Sequence, residues 1–313
     1  MDNKKSIKEI LNSLTLVLII LGLGVVLSIA SPNFLKTTNI LNILRQVSIN
    51  GILAIGMSLV CLTGGIDLSV GSIVAFSGIL TAGMLNNTDL PIFVIAVIAV
   101  VVGCIMGMIN GYFVAYWNAP AFVVTLSMLT VGRGLTYIYC DGKPISKLPA
   151  EFLVIGKGSI LGLPIPTIVL FAVFLIFSVM LSKFKLGRYI YAVGGNPQAA
   201  MVSGINVKKV LLLVYMFSGM CCGVAAVVLT ARVSAGLATA GDGYELNAIA
   251  ATVIGGTSLS GGTGKLWGTL LGALLLGMVN TGLDLLNVTS YYQQVVRGLI
   301  ILGAILIDTR RNK

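Results

Sequence analysis

The chain has 313 residues, of which 57% are hydrophobic and only 10% charged. A soluble domain carries about 25% charged residues, so this composition excludes a soluble globule. At about 20 residues per membrane helix the length holds roughly ten spans and leaves no room for a separate soluble enzyme domain. Histidine is absent, which excludes an imidazole metal site, a Ser-His-Asp triad and an imidazole proton relay. Cys61, Cys104, Cys140, Cys221 and Cys222 form no CxxC pair and no disulfide framework.

The apolar runs are too long for barrel strands and lack strict alternation, so they read as helices. They fall at about 14–30, 40–63, 68–85, 92–116, 122–139, 167–181, 210–231, 246–254, 266–286 and 292–307. The first follows Lys4, Lys5 and Lys8, and Ser28-Ile29-Ala30 offers a signal-peptidase site as a rival reading. The run is longer than the usual signal core. Gly64-Gly65 breaks the second run from the third, and Pro91 and Pro120 mark later turns. A polar stretch at 141–166 carries four prolines, 183–209 is the longest basic segment, and 236–243 reads as a flexible loop.

The net charge of +10 suggests nucleic acid at first sight, but its distribution points instead to orientation. With the N-terminus inside, ten spans place 12 Lys and Arg in inner segments and four, Lys36, Lys143, Lys147 and Lys157, in outer ones. Both termini are then cytoplasmic. Arg45, Arg133, Arg232 and Arg297 lie within or at the edges of spans.

Two matches suggest an internal repeat. Gly64-Gly65-Ile66-Asp67-Leu68-Ser69-Val70-Gly71-Ser72 resembles Gly255-Gly256-Thr257-Ser258-Leu259-Ser260-Gly261-Gly262-Thr263, and Arg133-Gly134-Leu135 recurs as Arg297-Gly298-Leu299. Taken as equivalent places in two four-span blocks, 40–139 and 210–308, they predict inverted repeats, a transporter architecture. The rival reading is chance matching among 38 glycines.

Within the basic segment, Asn196 suits a helix N-cap, Pro197 the first helical position and Gly204 the position after the last turn. Gln198, Ala199, Ala200, Met201, Val202 and Ser203 would form two turns between them. So short a helix needs a surface to pack on, either its own membrane domain or a cytoplasmic partner, and the small apolar residues with basic flanks favour docking. Gly261-Gly262-Thr263-Gly264-Lys265 resembles a phosphate cradle but fails the P-loop pattern. Leu259 stands where its first glycine belongs, and Leu266 where Ser or Thr should follow the lysine. The glycines serve instead for helix breaks and close approach. Asp67 reads first as the N-cap of the third span and second as part of a partner interface.

Charge inside a membrane is costly and marks function, yet Asp242, Glu245 and Asp284 fall near span ends and no acid is evident mid-span. That counts against an ion-coupled secondary transporter. Planar hydrogen-bonding groups and aromatic faces bind sugars. Arg45, Gln46 and Asn50, with Arg133 and with Tyr291, Tyr292, Gln294 and Arg297, are therefore candidates to line a path. Helix–helix hydrogen bonding explains each of them equally well.

Several motifs in order closely resemble one family: Ser31-Pro32-Asn33-Phe34, residues 50–57 through 64–72, 186–196, Ser203-Gly204-Ile205-Asn206-Val207 and 255–262. The chain from about 31 to 308 resembles the permease subunit of bacterial ribose-type ABC importers. The resemblance implies an all-α membrane protein of about ten transmembrane helices in a single domain, 1–313, type II-like. It also implies a homodimer in the inner membrane, without its own ATPase and with no cofactor of its own. A cytoplasmic ABC ATPase using ATP and Mg would dock at Asn196–Gly204, the segment that matches the family's coupling helix. An extracytoplasmic sugar-binding protein would deliver substrate. Lipid is the remaining partner, and nucleic acid is not one. The competing readings are an ion-coupled secondary sugar transporter and an intramembrane enzyme.

Overall fold

A computed structural model describes residues 2–311. Met1, Asn312 and Lys313 lie outside the described residues, as do the side chains of 2–13, 304 and 307–311. The basic N-terminal and C-terminal residues in the charge count fall among these.

Thirteen helices and one small hairpin make up the described chain. They are α1 (Asp2–Ala30), α2 (Thr37–Leu62), α3 (Val70–Asn87), α4 (Ile92–Tyr116), α5 (Ala121–Cys140), α6 (Ala150–Lys157), β1 (Ser159–Ile160), β2 (Leu163–Pro164), α7 (Ile165–Lys183), α8 (Lys185–Gly195), α9 (Pro197–Val202), α10 (Val207–Val233), α11 (Tyr244–Ile254), α12 (Leu266–Leu285) and α13 (Ser290–Arg311). Prolines set four of the starts. Pro91, Pro120, Pro149 and Pro164 each stand immediately before a helix, where a missing N–H costs nothing.

All ten apolar runs are helical. Among the described residues seven helices are long and apolar enough to cross a membrane: α2, α3, α4, α5, α7, α10 and α12. The stretch Leu14–Ala30 and α11 are shorter apolar helices. α2 is the most buried of the seven and stands at the centre, packed by α7, α10, α11 and α12. α4, α5 and α7 are the least buried.

Hydroxyls and glycines hold the helices together. Ser58 on α2 shares hydrogen bonds with Thr269 on α12 (2.7 Å) and Thr252 on α11 (3.3 Å), and Ser48 donates to Thr167 on α7 at 3.1 Å. Such bonds join helices where no hydrophobic force separates protein from lipid. α4 and α10 share the most extensive helix contact. A Cβ on Gly107 would strike the Tyr215 carbonyl, and one on Gly219 the Gly103 carbonyl.

The structure departs from the sequence reading in four places. The proline-rich stretch at 141–166 contains α6 and the hairpin, because Pro149 and Pro164 start helices rather than only interrupting them. An unexpected helix, α8, precedes the expected α9 in the basic segment. The stretch 236–243 is pinned: Gly236 pairs with Ile145 across an antiparallel bridge, and Ala238 and Gly241 are buried. The two glycine motifs also do not occupy equivalent places. The first lies between the first and second helices of block 40–139, the second between the second and third of block 210–308.

Replacing Gly107 with Leu forces α4 from α10 and lowers stability by about 1–3 kcal/mol, read as a fall in thermal midpoint in detergent. Gly134→Ala, whose Cβ meets nothing within 4 Å, leaves the midpoint unchanged.

Candidate functional site

α9 stands on two local devices. The Asn196 side chain accepts the Ala199 N–H at 2.9 Å, and Gly204, at φ +81°, closes the far end. There the Gly204 and Ile205 N–H groups donate to the Met201 and Ala200 carbonyls, both at 3.0 Å. Ala200 is buried against the bundle, whereas Met201 is 64% and Val202 90% exposed. The helix thus rests on its own domain through one alanine and turns its larger apolar side chains outward. Asn206 caps α10 in the same way, accepting the Lys209 N–H at 3.0 Å.

α8 leads into α9, with Gly187, Ile190 and Val193 buried and Lys185 and Arg188 on its other face. Its last residues meet both glycine breaks. A Cβ on Gly194 would collide with the Leu62 carbonyl at the end of α2, and one on Gly261 would lie 2.7 Å from the Gly194 carbonyl and 2.9 Å from Gly64 N. The Gly262 N–H donates to the Leu62 carbonyl at 2.9 Å, and Tyr191 on α8 donates to the Gly264 carbonyl at 2.9 Å. Gly64, Gly194 and Gly261 therefore form one node beneath α2. The Gly261 and Gly262 N–H groups are spent on Ser258 and Leu62, so they form no phosphate cradle. Gly255 and Gly256 serve elsewhere. The first lies against Gly268 of α12, and the second turns the chain at φ +88°.

Asp67 is not the cap of α3. That position belongs to Ser69, whose side chain makes no capping bond. The Asp67 carboxylate is fully buried and accepts the Ser69 N–H (3.0 Å), the Ser69 hydroxyl (2.5 Å) and the Ser218 hydroxyl of α10 (2.8 Å). Asn110 of α4 donates to the Ser69 hydroxyl at 2.8 Å. The break, α4 and α10 thus converge around a buried acid with no salt-bridge partner among the described residues. Sequence reading placed this acid at a helix end. It lies inside because α3 starts late, at Val70, and the preceding break runs into the bundle. Gly71 abuts the Gly241 carbonyl across that region.

The candidate path residues divide. Arg133 forms an ion pair with Asp242 and donates to the Ala238 and Ala240 carbonyls (2.9 Å to the latter). It thereby satisfies backbone groups of the 234–243 loop. Arg45 donates to the Asn42 side chain and the Lys157 carbonyl, both at 3.2 Å. Arg232 lies within electrostatic reach of Arg45 and of Tyr244 at the start of α11, and Arg297 within reach of Tyr244. Arg232 and Arg297 thus flank Tyr244, with Arg45 beside Arg232. Asn50 is buried and Gln46 half-buried. Tyr291 (81%) and Tyr292 (69%) stand out from the surface, as does Gln294. Its neighbour Gln293, not singled out above as a path candidate, is buried and donates to Asp284 (2.7 Å) and the Val288 carbonyl (2.9 Å). Helical phase at the start of α13 decides between the two glutamines, and composition carries no signal of it.

The family described as branched-chain amino acid transport system / permease component matches residues 39–305. The chain belongs to this permease family. Among its relatives, the ribose import permease protein RbsC of Bacillus subtilis is 46% identical over 93% of this chain and 90% of its own. RbsC of Escherichia coli K12 is 44% identical over 94% and 92%. The D-allose transport system permease protein AlsC of the same strain is 39% identical over 91% and 88%. No solved structure matches the chain. With seven apolar helices and this family, it is a multi-pass membrane permease.

Truncating Arg133 to Ala leaves Asp242 and two loop carbonyls without their donor. Because Asp242 is mostly exposed, the expected cost comes chiefly from the two carbonyls and is about 1–3 kcal/mol, measured as loss of folded protein on heating in detergent, with Arg133→Lys recovering part of it.

Proposed function

We propose that this permease is the membrane subunit of an ATP-driven importer that moves a monosaccharide, ribose first, into the cytoplasm. The observation that carries this reading is α9, a capped two-turn helix that presents Met201 and Val202 to the outside. A membrane protein has no internal use for two exposed apolar side chains on a polar, basic segment, and a cytoplasmic ATPase groove would cover them. Relatives named for ribose import, 44–46% identical over nine-tenths of the chain, support ribose over allose. ATP and Mg belong to that partner's chemistry, and this chain holds no cofactor of its own.

In this reading ten helices span the membrane, both termini are cytoplasmic and α9 lies on the inner face. The chain works as a homodimer in the inner membrane, surrounded by lipid. An extracytoplasmic sugar-binding protein delivers substrate near the arginines around Tyr244. The Arg-Gly-Leu match, which falls on the last helix of each block, supports an inverted relation between 40–139 and 210–308. Movement imposed on α9 passes through Gly194 to the Leu62 carbonyl and to Gly261, so both breaks receive the same displacement. The binding protein supplies the selectivity, and the path itself stays weakly binding. Partners act by biasing two states of the permease.

One observation favours an ion-coupled secondary transporter: Asp67, the buried acid at a helix break. Two measurements separate the readings. Reconstituted alone under a proton or sodium gradient, the chain is expected to accumulate no ribose; accumulation sinks the ATP-driven reading. Val202→Glu combined with Met201→Glu is expected to insert normally and to lose co-purification of the ATPase. Undiminished co-purification refutes docking at α9.

A further inference from the structure

The last turns of α4 and the first turn of α10 meet at one place on the surface. Four rings of α4 form a continuous cluster there. Tyr112 stacks on Tyr116 with centroids 5.3 Å apart and 25° between planes. Phe113 meets Tyr112 edge-on at 5.7 Å, and Trp117 lies 6.0 Å from Phe113. The Lys208 ammonium of α10 sits over the Tyr116 ring, 5.6 Å from its centre. All four rings are at least 42% exposed, and Lys208 and Lys209 are exposed as well.

The depth of this place in the membrane follows from α4. Exposed apolar side chains run along the helix from Phe93 through Val97, Val101 and Ile105 to Tyr112 and Tyr116. First to last, that is about 35 Å at 1.5 Å per residue, against a hydrocarbon thickness of about 30 Å. With Phe93 at one boundary, the ring cluster stands at the other, where Tyr and Trp hold the headgroup level. Phe113 also lines an apolar cleft of about 300 Å³ that runs between α4 and α5 toward the middle of both helices. Charge then selects the headgroup. Lys208 and Lys209 have no ion-pair partner among the described residues. Neither 183–209 nor 90–140 contains an acidic residue. A zwitterionic headgroup brings an ammonium that no carboxylate of these segments receives, and the Tyr116 ring is already held by Lys208. An anionic headgroup brings a phosphate and no cation.

We propose that the α4–α10 corner is a binding site for one anionic phospholipid. Its phosphate meets Lys208 and Lys209, its glycerol level lies against Tyr116 and Trp117, and one acyl chain follows Phe113 into the cleft. Such a lipid binds whatever the permease carries and whatever drives it. Lys208 follows shortly after Gly204, which closes α9, so the lipid braces the α4–α10 pair beside the segment that leads from the exposed helix.

Trp117 and Trp267 are the only tryptophans of the chain, so Trp267→Phe leaves Trp117 as a reporter within the site. The test places the full chain with that change in phosphatidylcholine nanodiscs and titrates in phosphatidylglycerol or phosphatidylcholine with brominated acyl chains. The expected result is saturable quenching of Trp117, with phosphatidylglycerol effective at about 25-fold lower mole fraction, about fivefold for each lysine. Lys208→Gln reduces that preference about fivefold, and Lys208→Gln with Lys209→Gln removes it. Arg188→Gln, in the same basic segment, leaves it unchanged. Equal quenching by the two lipids overturns the proposal. An Arg188→Gln effect as large as that of Lys208→Gln does so too, because it means a diffuse surface charge and no site. Absence of quenching by either lipid means that another protein surface covers Trp117, and displacement by soluble glycerophosphoglycerol means that the lysines take a free phosphate ester; each overturns the proposal.

Discussion

At Gly107 a single methyl group would land on a carbonyl oxygen of the neighbouring helix, and at Gly219 the same is true in the opposite direction. α4 and α10 are therefore in backbone contact, closer than any side-chain-mediated packing permits. In a bilayer this matters more than in water. Lipid tails are as apolar as leucine, so helices associate through close van der Waals contact and through hydrogen bonds rather than by escaping solvent. The rest of the arrangement depends on that contact. With α4 held against α10, Ser218 of α10 reaches the buried Asp67 carboxylate and Asn110 of α4 reaches the Ser69 hydroxyl bonded to it. Because α10 also lies against α2 and α3, the break between those two helices is built onto the α4–α10 pair.

Two stretches of non-helical chain enter this bundle, 63–69 and 234–243. Irregular backbone packed against helices needs protein partners for the polar groups that water does not reach. The two are satisfied by opposite means. Asp67 accepts from the first and ties it to α10, whereas Arg133 donates to the carbonyls of the second and is balanced by Asp242. They also touch each other, since Gly71 and the Gly241 carbonyl leave no room for a side chain between them. The basic and acidic residues that sequence reading weighed as pathway or cap are thus, in these two cases, fasteners of broken backbone.

What the sequence made legible was local. Apolar runs gave the helices, and Asn196-Pro197 with Gly204 gave α9 because a cap is written in the few residues around it. α8 was hidden for a related reason. Lys185 and Arg188 dominate the reading of that stretch as a basic loop, while the buried side that makes it a helix consists of only Gly187, Ile190 and Val193. The choice between Gln293 and Gln294 depends on where α13 begins, which no pattern near them states. The inward course of Asp67 depends on the length of α3 and on Ser218, 151 residues away. Pairings over that distance are made by the fold, and the glycine repeat that suggested inverted blocks matched places that are one helix out of step.

The node beneath α2 shows why glycine is required at both breaks even so. Gly194 and Gly261 face each other and the end of α2 with backbone alone, so no rotamer can absorb a displacement between them. A helix end held in this way transmits movement as a rigid contact. Side chains at the same place would fill the gap with rotatable bonds, and small motions would dissipate there. The Gly262 hydrogen bond to Leu62 and the Tyr191 bond to Gly264 fix the direction, binding α8 to the second break and that break to α2. The six-residue helix α9 follows directly on this backbone-only node, and in the proposed function a push on it would reach both breaks without an intervening rotamer.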